Sequence, residues 1–314
     1  MKCPICDNEK ENKKYLVKEM QQGLREEFEY IECANCGCLF IKEIPSDMSK
    51  YYDINYAPHV HKSNLISKIK EKIYALYISN NKLIKLIQGD NVTITTKFWN
   101  SLSSENIINK NSSILDVGCG DGKFLTILKK GGFKDLSGID LFIDESNMQK
   151  GIKIFQSSLE NFNPGRKYDL IISNQAFEHM DHQLENLKCF ENLIKDNGII
   201  VIRIPVKTPP FWNKYGVNWY QLDAPRHFFL HTIESFKILC NKTNLVIENI
   251  IFDSFEDAFL PYEKYSRDIS TRDKEWNQFK LDEKTIKEFK KEVRNLNKNN
   301  EADQAIFVLK LKNK

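Results

Sequence analysis

Apolar positions along this chain follow two regimes that meet near residue 112. Beyond it, short runs of consecutive apolar residues alternate with stretches at helical spacing, the texture of a mostly parallel α/β sheet. The runs predict strands over 113–117, 136–139, 152–156, 170–173, 199–204, 246–252 and 305–311. Helices are expected over 122–130, 184–195 and 233–241, the second stopped by Asn197-Gly198. A lysine- and glutamate-rich stretch over 282–295 keeps Ile286, Phe289 and Val293 on one side and predicts a helix with a solvated face.

Ahead of residue 112 the pattern is short-ranged. Glu27-Phe28-Glu29-Tyr30-Ile31-Glu32 alternates with the period of a half-exposed strand, so residues 1–44 predict a small β module. A joint containing Tyr51, Tyr52 and Tyr56 follows, then Ile66, Ile69, Ile73, Leu76, Tyr77, Leu83, Ile84 and Ile87 near the helical period, which predicts a connecting helical segment over 63–87. The expected organisation is therefore 1–44, a joint over 45–111, and an α/β domain over 112–314.

Composition narrows the class. With 41% hydrophobic and 28% charged residues in 314, the chain can bury a substantial core, which excludes disordered, collagen-like and disulfide-dense proteins. The net charge of +3 supplies no large drive toward nucleic acid or anionic membrane. No apolar run reaches the roughly 20 residues of a membrane span, and the first residues lack a signal peptide's apolar core. A cytoplasmic protein with reduced thiols is expected. Of its 8 cysteines, five precede residue 40, a clustering that points to metal rather than to bridges.

Ile114-Leu115-Asp116-Val117-Gly118-Cys119-Gly120-Asp121-Gly122 reads as a buried strand entering a glycine-rich turn and then a helix, whose N-terminus offers partial positive charge. A dinucleotide fingerprint would need glycine where Lys123 stands, and the Gly-Lys-Ser/Thr of a phosphate loop is missing. Downstream, the second strand ends Ser137-Gly138-Ile139-Asp140-Leu141, and Ser157-Ser158-Leu159-Glu160 follows the third. The fourth runs from Tyr168-Asp169 to Asn174-Gln175-Ala176-Phe177-Glu178-His179, and Asn197-Gly198 precedes the fifth. Taken in order, these segments resemble the class I S-adenosylmethionine-dependent methyltransferases.

That resemblance implies a Rossmann-like seven-stranded sheet with helices on both faces. It implies an S-adenosylmethionine site at Asp116, Gly118, Cys119, Gly120, Gly122, Asp140, Leu141, Ser158, Leu159 and Asn174. Asp140 would take the ribose hydroxyls, and Ser158 and Leu159 the adenine.

Cys3-Pro4-Ile5-Cys6 and Cys33-Ala34-Asn35-Cys36 are two C-x-x-C pairs flanking the β-like stretch, a spacing that brings four thiolates around Zn²⁺ as in a zinc ribbon. A closed four-cysteine site has no open position for water, so Cys3, Cys6, Cys33 and Cys36 are expected to hold a structural ion; Cys38 is spare. A ribbon joined to a methyltransferase domain resembles bacterial enzymes of surface-glycan and nucleotide-sugar pathways, including sugar C-methyltransferases, although their long extra C-terminal domain is lacking here.

Methyl transfer from a sulfonium is an in-line displacement in which the enzyme aligns the nucleophile and, for a hydroxyl, removes its proton. His179, His227 and Glu178 are the candidate catalytic residues, with His231 close by in Pro225-Arg226-His227-Phe228-Phe229-Leu230-His231. Some family members hold Mg²⁺ with a Glu-x-x-Glu-His motif; Gln175 replaces the first glutamate here, which argues against that ion. Phe211, Trp212, Trp219 and Tyr220, like Tyr56, His59 and His61, could stack on a sugar or base, but packing between module and domain is the simpler expectation.

The expected function is methyl transfer to a small-molecule, glycan or nucleotide-sugar hydroxyl with a histidine base. Alternatives are a keto-sugar C-methyltransferase, an RNA methyltransferase gripping nucleic acid through the ribbon, or a non-catalytic adenosyl-ligand binder. Residues 1–44 offset their lysines with glutamates, so nucleic acid is the weaker partner. The sequence carries no signal of oligomeric state.

Overall fold

The computed structural model describes residues 1–52, 73, 75, 76, 78, 108–143 and 151–312. Tyr56, His59, His61 and most of the expected joint helix lie outside the described residues; Ile73, Ala75, Leu76 and Ile78 are helical, with Ala75 and Ile78 buried.

All seven expected strands of the α/β part form, as β4 Ser113–Val117, β5 Asp135–Asp140, β6 Lys153–Gln156, β7 Tyr168–Asn174, β8 Ile194–Pro205, β10 Leu245–Phe252 and β11 Gln304–Leu311. They make one sheet in the order β10-β11-β8-β7-β4-β5-β6, with β11 antiparallel to both neighbours and the five strands from β6 to β8 parallel. Chain progression reverses between β5 and β7 around β4, which opens a crevice at the carboxyl ends of those strands. Alternate residues feed opposite faces: Leu115, Ile171, Ile200 and Phe307 join one apolar core, and Ile114, Leu170, Ile199 and Ile306 the other. Burial on both faces is why these strands read as continuous apolar runs.

The helices are α1 Lys123–Lys130, α2 Gln183–Leu193, α3 Pro209–Tyr215, α4 Ile233–Asn241, α5 Phe259–Tyr265, α6 Glu275–Gln278 and α7 Glu283–Asn299. The second departs from expectation. It ends at Leu193, and Asn197-Gly198 lies inside β8, where the pairing with β7 jumps from Tyr168↔Ile194 to Leu170↔Ile199 and bulges out the residues between. A Cβ on Gly198 would sit 2.7 Å from Ile194 Cδ1 and 3.0 Å from Tyr168 O, so the glycine serves a close approach rather than a helix stop.

The N-terminal module contains β1 Lys13–Lys18, β2 Glu27–Glu32 and β3 Leu39–Ile41. Its antiparallel sheet takes a fourth strand, β9 Phe229–Leu230, from the far side of the sequence, in the order β1-β2-β3-β9. Module and domain thereby share one core, in which Tyr30, Phe40 and Leu39 pack with Phe229, Leu230 and Phe236. Lys207 Nζ meets Glu32 Oε1 at 2.7 Å across the joint, and Trp212 packs edge-on against Tyr15 with ring centroids 5.2 Å apart. Among the described residues no helix is long and apolar enough to cross a membrane.

Candidate active site

β4 delivers the glycine turn to the crevice. Gly118 has φ +75°, and a Cβ there would lie 2.3 Å from the Cβ of Ala176, so any side chain would push the turn off the end of β7. The amides of Gly118 and Cys119 both donate to Ile139 O, at 2.9 and 3.1 Å, which pins the turn on β5. Asp140 closes it: Oδ2 accepts from Gly120 N at 2.9 Å and Oδ1 from Phe142 N at 2.8 Å. Each carboxylate oxygen keeps a second lone pair for a ligand hydroxyl.

The turn opens on a cleft of about 380 Å³, the size of a small-molecule site. Gly118, Gly120, Asp140, Leu141, Ser158 and Leu159 line it, six of the ten residues expected to bind S-adenosylmethionine. The remaining four stand back. Asp116 is buried beneath the turn, with its carboxyl pushed up to about 7 by burial and the charge of Asp140. Cys119 packs its sulfur against Gly138, and Gly122 forms the N-cap of α1. Asn174 is exposed at the end of β7, where its Oδ1 accepts from Arg203 Nη1 at 3.3 Å.

The opposite wall comes from distant parts of the chain: Ile44, Met48 and Tyr52 beyond the N-terminal sheet, Gln175, His179 and Met180 after β7, and Phe228 before β9. Tyr52 stacks on Phe142 with centroids 5.4 Å apart, and its hydroxyl lies 3.4 Å from His179 Nδ1. Ile44, Met48, Tyr52 and Phe228 carried no sequence signal as site residues. The nearest was the cluster of tyrosines after Pro45.

The three candidate catalytic residues converge. His179 lines the cleft, while Glu178 and His227 are buried behind it. The His179 and His227 rings meet edge-on at 4.6 Å, and His227 Nε2 lies 4.0 Å from Glu178 Oε1 and 3.7 Å from Asp223 Oδ2. Each histidine faces a backbone carbonyl through Nδ1, His179 with Arg226 O at 2.8 Å and His227 with Gln221 O at 2.7 Å. A carbonyl only accepts, so in both neutral rings Nδ1 carries the hydrogen and Nε2 the lone pair.

Burial, reinforced by His227, drives the His179 basicity down to about 3, and burial lowers His227 as well. Glu178 is pushed up to about 8 by burial, and among the described residues neither of its carboxyl oxygens has a hydrogen-bond partner. The ligand atoms of Glu178, His179 and His227 lie within 4.8 Å of one another, close enough to share a cation, and Gln175 faces the cleft as a neutral amide where a further carboxylate was wanting in the sequence.

The aromatics after β8 pack, which was the simpler expectation for them. Trp219 is buried and donates from Nε1 to Asp303 Oδ2 at 2.9 Å, and Tyr220 lies against Tyr262 and Tyr265.

At the N-terminal module the sulfurs of Cys3, Cys6, Cys33 and Cys36 all lie within 4.8 Å of one another, with Cys3–Cys36 at 3.7 Å and Cys6–Cys33 at 3.4 Å. A tetrahedron with metal–sulfur arms of about 2.3 Å has edges of about 3.8 Å, whereas a disulfide needs about 2.05 Å. The set fits a four-thiolate ion. Cys38 is buried outside it, near the carbonyl of Leu39.

Residues 94–250, half of the chain, match the sequence profile of the methyltransferase-domain family. A ubiquinone biosynthesis O-methyltransferase of Rickettsia canadensis is 33% identical over 99 residues, covering 28% of this chain and 41% of that enzyme. A malonyl-[acyl-carrier protein] O-methyltransferase of Ilyobacter polytropus is 29% identical over 158 residues, covering 44% and 58%. Protein arginine N-methyltransferase 2 of Dictyostelium discoideum is 24% identical over 143 residues, covering 40% of this chain and 28% of its own length. The chain thus spans less than two thirds of the length of these curated relatives. A crystal structure of an S-adenosylmethionine-dependent methyltransferase from Clostridium acetobutylicum superposes on 80% of this chain and 100% of its own, at 13% identity and a TM-score of 0.45. A profile match over half of its length shows that the chain belongs to the methyltransferase-domain family.

Proposed function

We propose that this enzyme methylates a hydroxyl of a small molecule, of the glycan or nucleotide-sugar kind, held between the donor wall and the surface formed by Ile44, Met48, Tyr52 and Phe228. The observation that carries this reading is that His179 lines the same cleft as Gly118, Gly120 and Asp140, with Nδ1 occupied by a carbonyl and Nε2 left as the accepting nitrogen. S-adenosylmethionine supplies an electrophilic methyl on a sulfonium. The acceptor oxygen forms the new C–O bond as the S–CH₃ bond breaks, its proton passes to His179 Nε2, and S-adenosylhomocysteine leaves with a methyl ether.

Glu178 and His227 do not reach the cleft and act as positioning residues. They back the His179 ring, and the backbone ties their segments together: Phe228 N donates to Glu178 O at 2.8 Å, and Ile41 N of the module donates to Phe228 O at 2.9 Å. A neutral imidazole of low basicity suits an acceptor hydroxyl acidified by its neighbours, such as a phenol or the hydroxyl next to a keto group. Cys3, Cys6, Cys33 and Cys36 hold Zn²⁺ in a closed structural site, and the enzyme works in the cytoplasm.

The test is transfer of labelled methyl from S-adenosylmethionine to a panel of nucleotide sugars, glycan fragments and phenols. Label moving into an acceptor oxygen supports the reading, and its loss in His179→Ala assigns the base. A panel labelled only at carbon or nitrogen, or left unlabelled while RNA offered beside it takes the label, would overturn it.

A further inference from the structure

Behind the Glu178–His179 turn runs a row of buried polar side chains that the chemistry does not use. Gln183, at the start of α2, is 3% exposed, and His231 and Ser235 are 0% exposed. Gln183 Nε2 donates to both Phe177 O, at 2.8 Å, and Met180 O, at 2.6 Å, the two carbonyls that bracket Glu178 and His179. Its Oε1 faces His231 Nε2 at 2.9 Å, and His231 Nδ1 faces Ser235 Oγ at 2.9 Å. Ser235 Oγ accepts from Thr232 N at 2.9 Å, Ser235 N donates to Thr232 Oγ1 at 3.0 Å, and Thr232 Oγ1 donates to Cys36 O at 2.7 Å. The last carbonyl belongs to one of the four clustered cysteines.

Hydrogen-bond bookkeeping gives this row one direction. Two carbonyls fix which end of the Gln183 amide is nitrogen, so Oε1 must accept and His231 Nε2 must carry the hydrogen. His231 sits among Phe177, Phe229 and Phe236, an apolar cage that favours the neutral ring. With one hydrogen, on Nε2, its Nδ1 must accept, and the donor facing it is the Ser235 hydroxyl, 2.9 Å away and also 3.0 Å from Thr232 O.

We propose that Gln183, His231 and Thr232 are positioning residues that couple the four-cysteine knuckle to the Glu178–His179 turn, so that the metal site sets the geometry of the acceptor side. This rests on the reading of His179 as the base, yet the coupling itself is observable without turnover. A buried, fully satisfied polar row has one low-energy arrangement, and removing a member leaves its neighbours unsatisfied and free to shift.

The experiment records long-range ¹H–¹⁵N spectra of the histidine rings in the zinc-loaded full chain, with S-adenosylhomocysteine as the probe of donor binding. In the wild type His231 is expected as the Nε2–H tautomer with a slowly exchanging proton. Thr232→Val should shift the His179 and His227 ring signals while S-adenosylhomocysteine affinity stays within about twofold, and Thr232→Ser, which keeps the hydroxyl, should restore them. Gln183→Met should shift the same signals further and abolish the protected His231 proton. Removing zinc with a chelator, which releases the module, should move the same two ring signals further than Thr232→Val does.

His179 and His227 signals superimposing on the wild type in folded Thr232→Val and Gln183→Met would overturn the coupling, as would His231 observed as the Nδ1–H tautomer. Should Gln183→Met not fold, the Thr232 pair decides alone. Failure of the base reading shows separately, as undiminished methyl transfer by His179→Ala.

Discussion

The two walls of the cleft are built from different materials. The donor wall is one stretch of backbone, from Gly118 to Gly122, folded onto the next strand and closed by Asp140. The wall proposed to hold the acceptor is assembled from residues near 44–52 and 175–180 and from Phe228, and holds its shape through side-chain and backbone bonds between segments far apart in the sequence. A wall made locally survives damage elsewhere, and a wall made by assembly depends on each contributor. Changes to the N-terminal module should therefore remove acceptor chemistry and spare donor binding.

The largest effect should come from the zinc proposed at Cys3, Cys6, Cys33 and Cys36. Extracting it, or replacing Cys36 with serine, removes the free energy that orders the module, of order 10 kcal/mol for four-ligand zinc sites. Methyl transfer should vanish while S-adenosylhomocysteine still binds, and calorimetry on the stripped protein checks it. Loss of donor binding as well would erase the distinction between the walls.

His179→Ala comes next, with methyl transfer falling roughly 10²- to 10⁴-fold and calorimetric donor affinity intact. Asp140→Ala works from the other side. Losing the clamp on Gly120 and the carboxylate proposed to take the ribose hydroxyls should cost about 1.5–3 kcal/mol of donor affinity, read by the same calorimetry, with the acceptor wall undisturbed in histidine spectra.

The smallest effect sharpens the comparison through pH. Glu178 is raised to about 8, so between its ordinary value and 8 the folded state binds a proton that the unfolded chain has released, and stability falls as pH rises. His179 and His231, lowered to about 3, act in the opposite sense, and their contribution is lost as pH drops through 6.5. Thermal melts should show Glu178→Gln above the wild type at pH 8 and converging with it near pH 4.5. A constant offset across that window would mean that Glu178 stays ionised in the fold.

The sequence was most readable where structure is local. The strand–turn–helix at 113–130 and the acid at 140 follow from neighbouring residues, so pattern and spacing were enough. Both C-x-x-C pairs were equally plain, because each knuckle is a few residues long. The acceptor wall was not readable, since nothing in Ile44, Met48 or Phe228 distinguishes a cleft residue from a core residue until the strands are in place. His227 shows the same limit: its segment was recognisable, but its position behind His179 depends on the Asp223–Arg226 turn, with the Arg226 guanidinium against the Asp223 carboxylate. His231 stood out only by its segment and Gln183 not at all, because the two partners lie 48 residues apart.

The pairing of Phe40 with Phe229 bears on how the protein is made. These partners are roughly 190 residues apart in the chain, and a ribosome adding about 5–20 residues per second presents the second some 10 to 40 seconds after the first. The module that emerges before the domain is thus completed late, with the outer edge of β3 waiting until residues 229–230 are made. A nascent chain stalled before residue 229 would display that bare apolar strand, which makes it a natural handle for a chaperone.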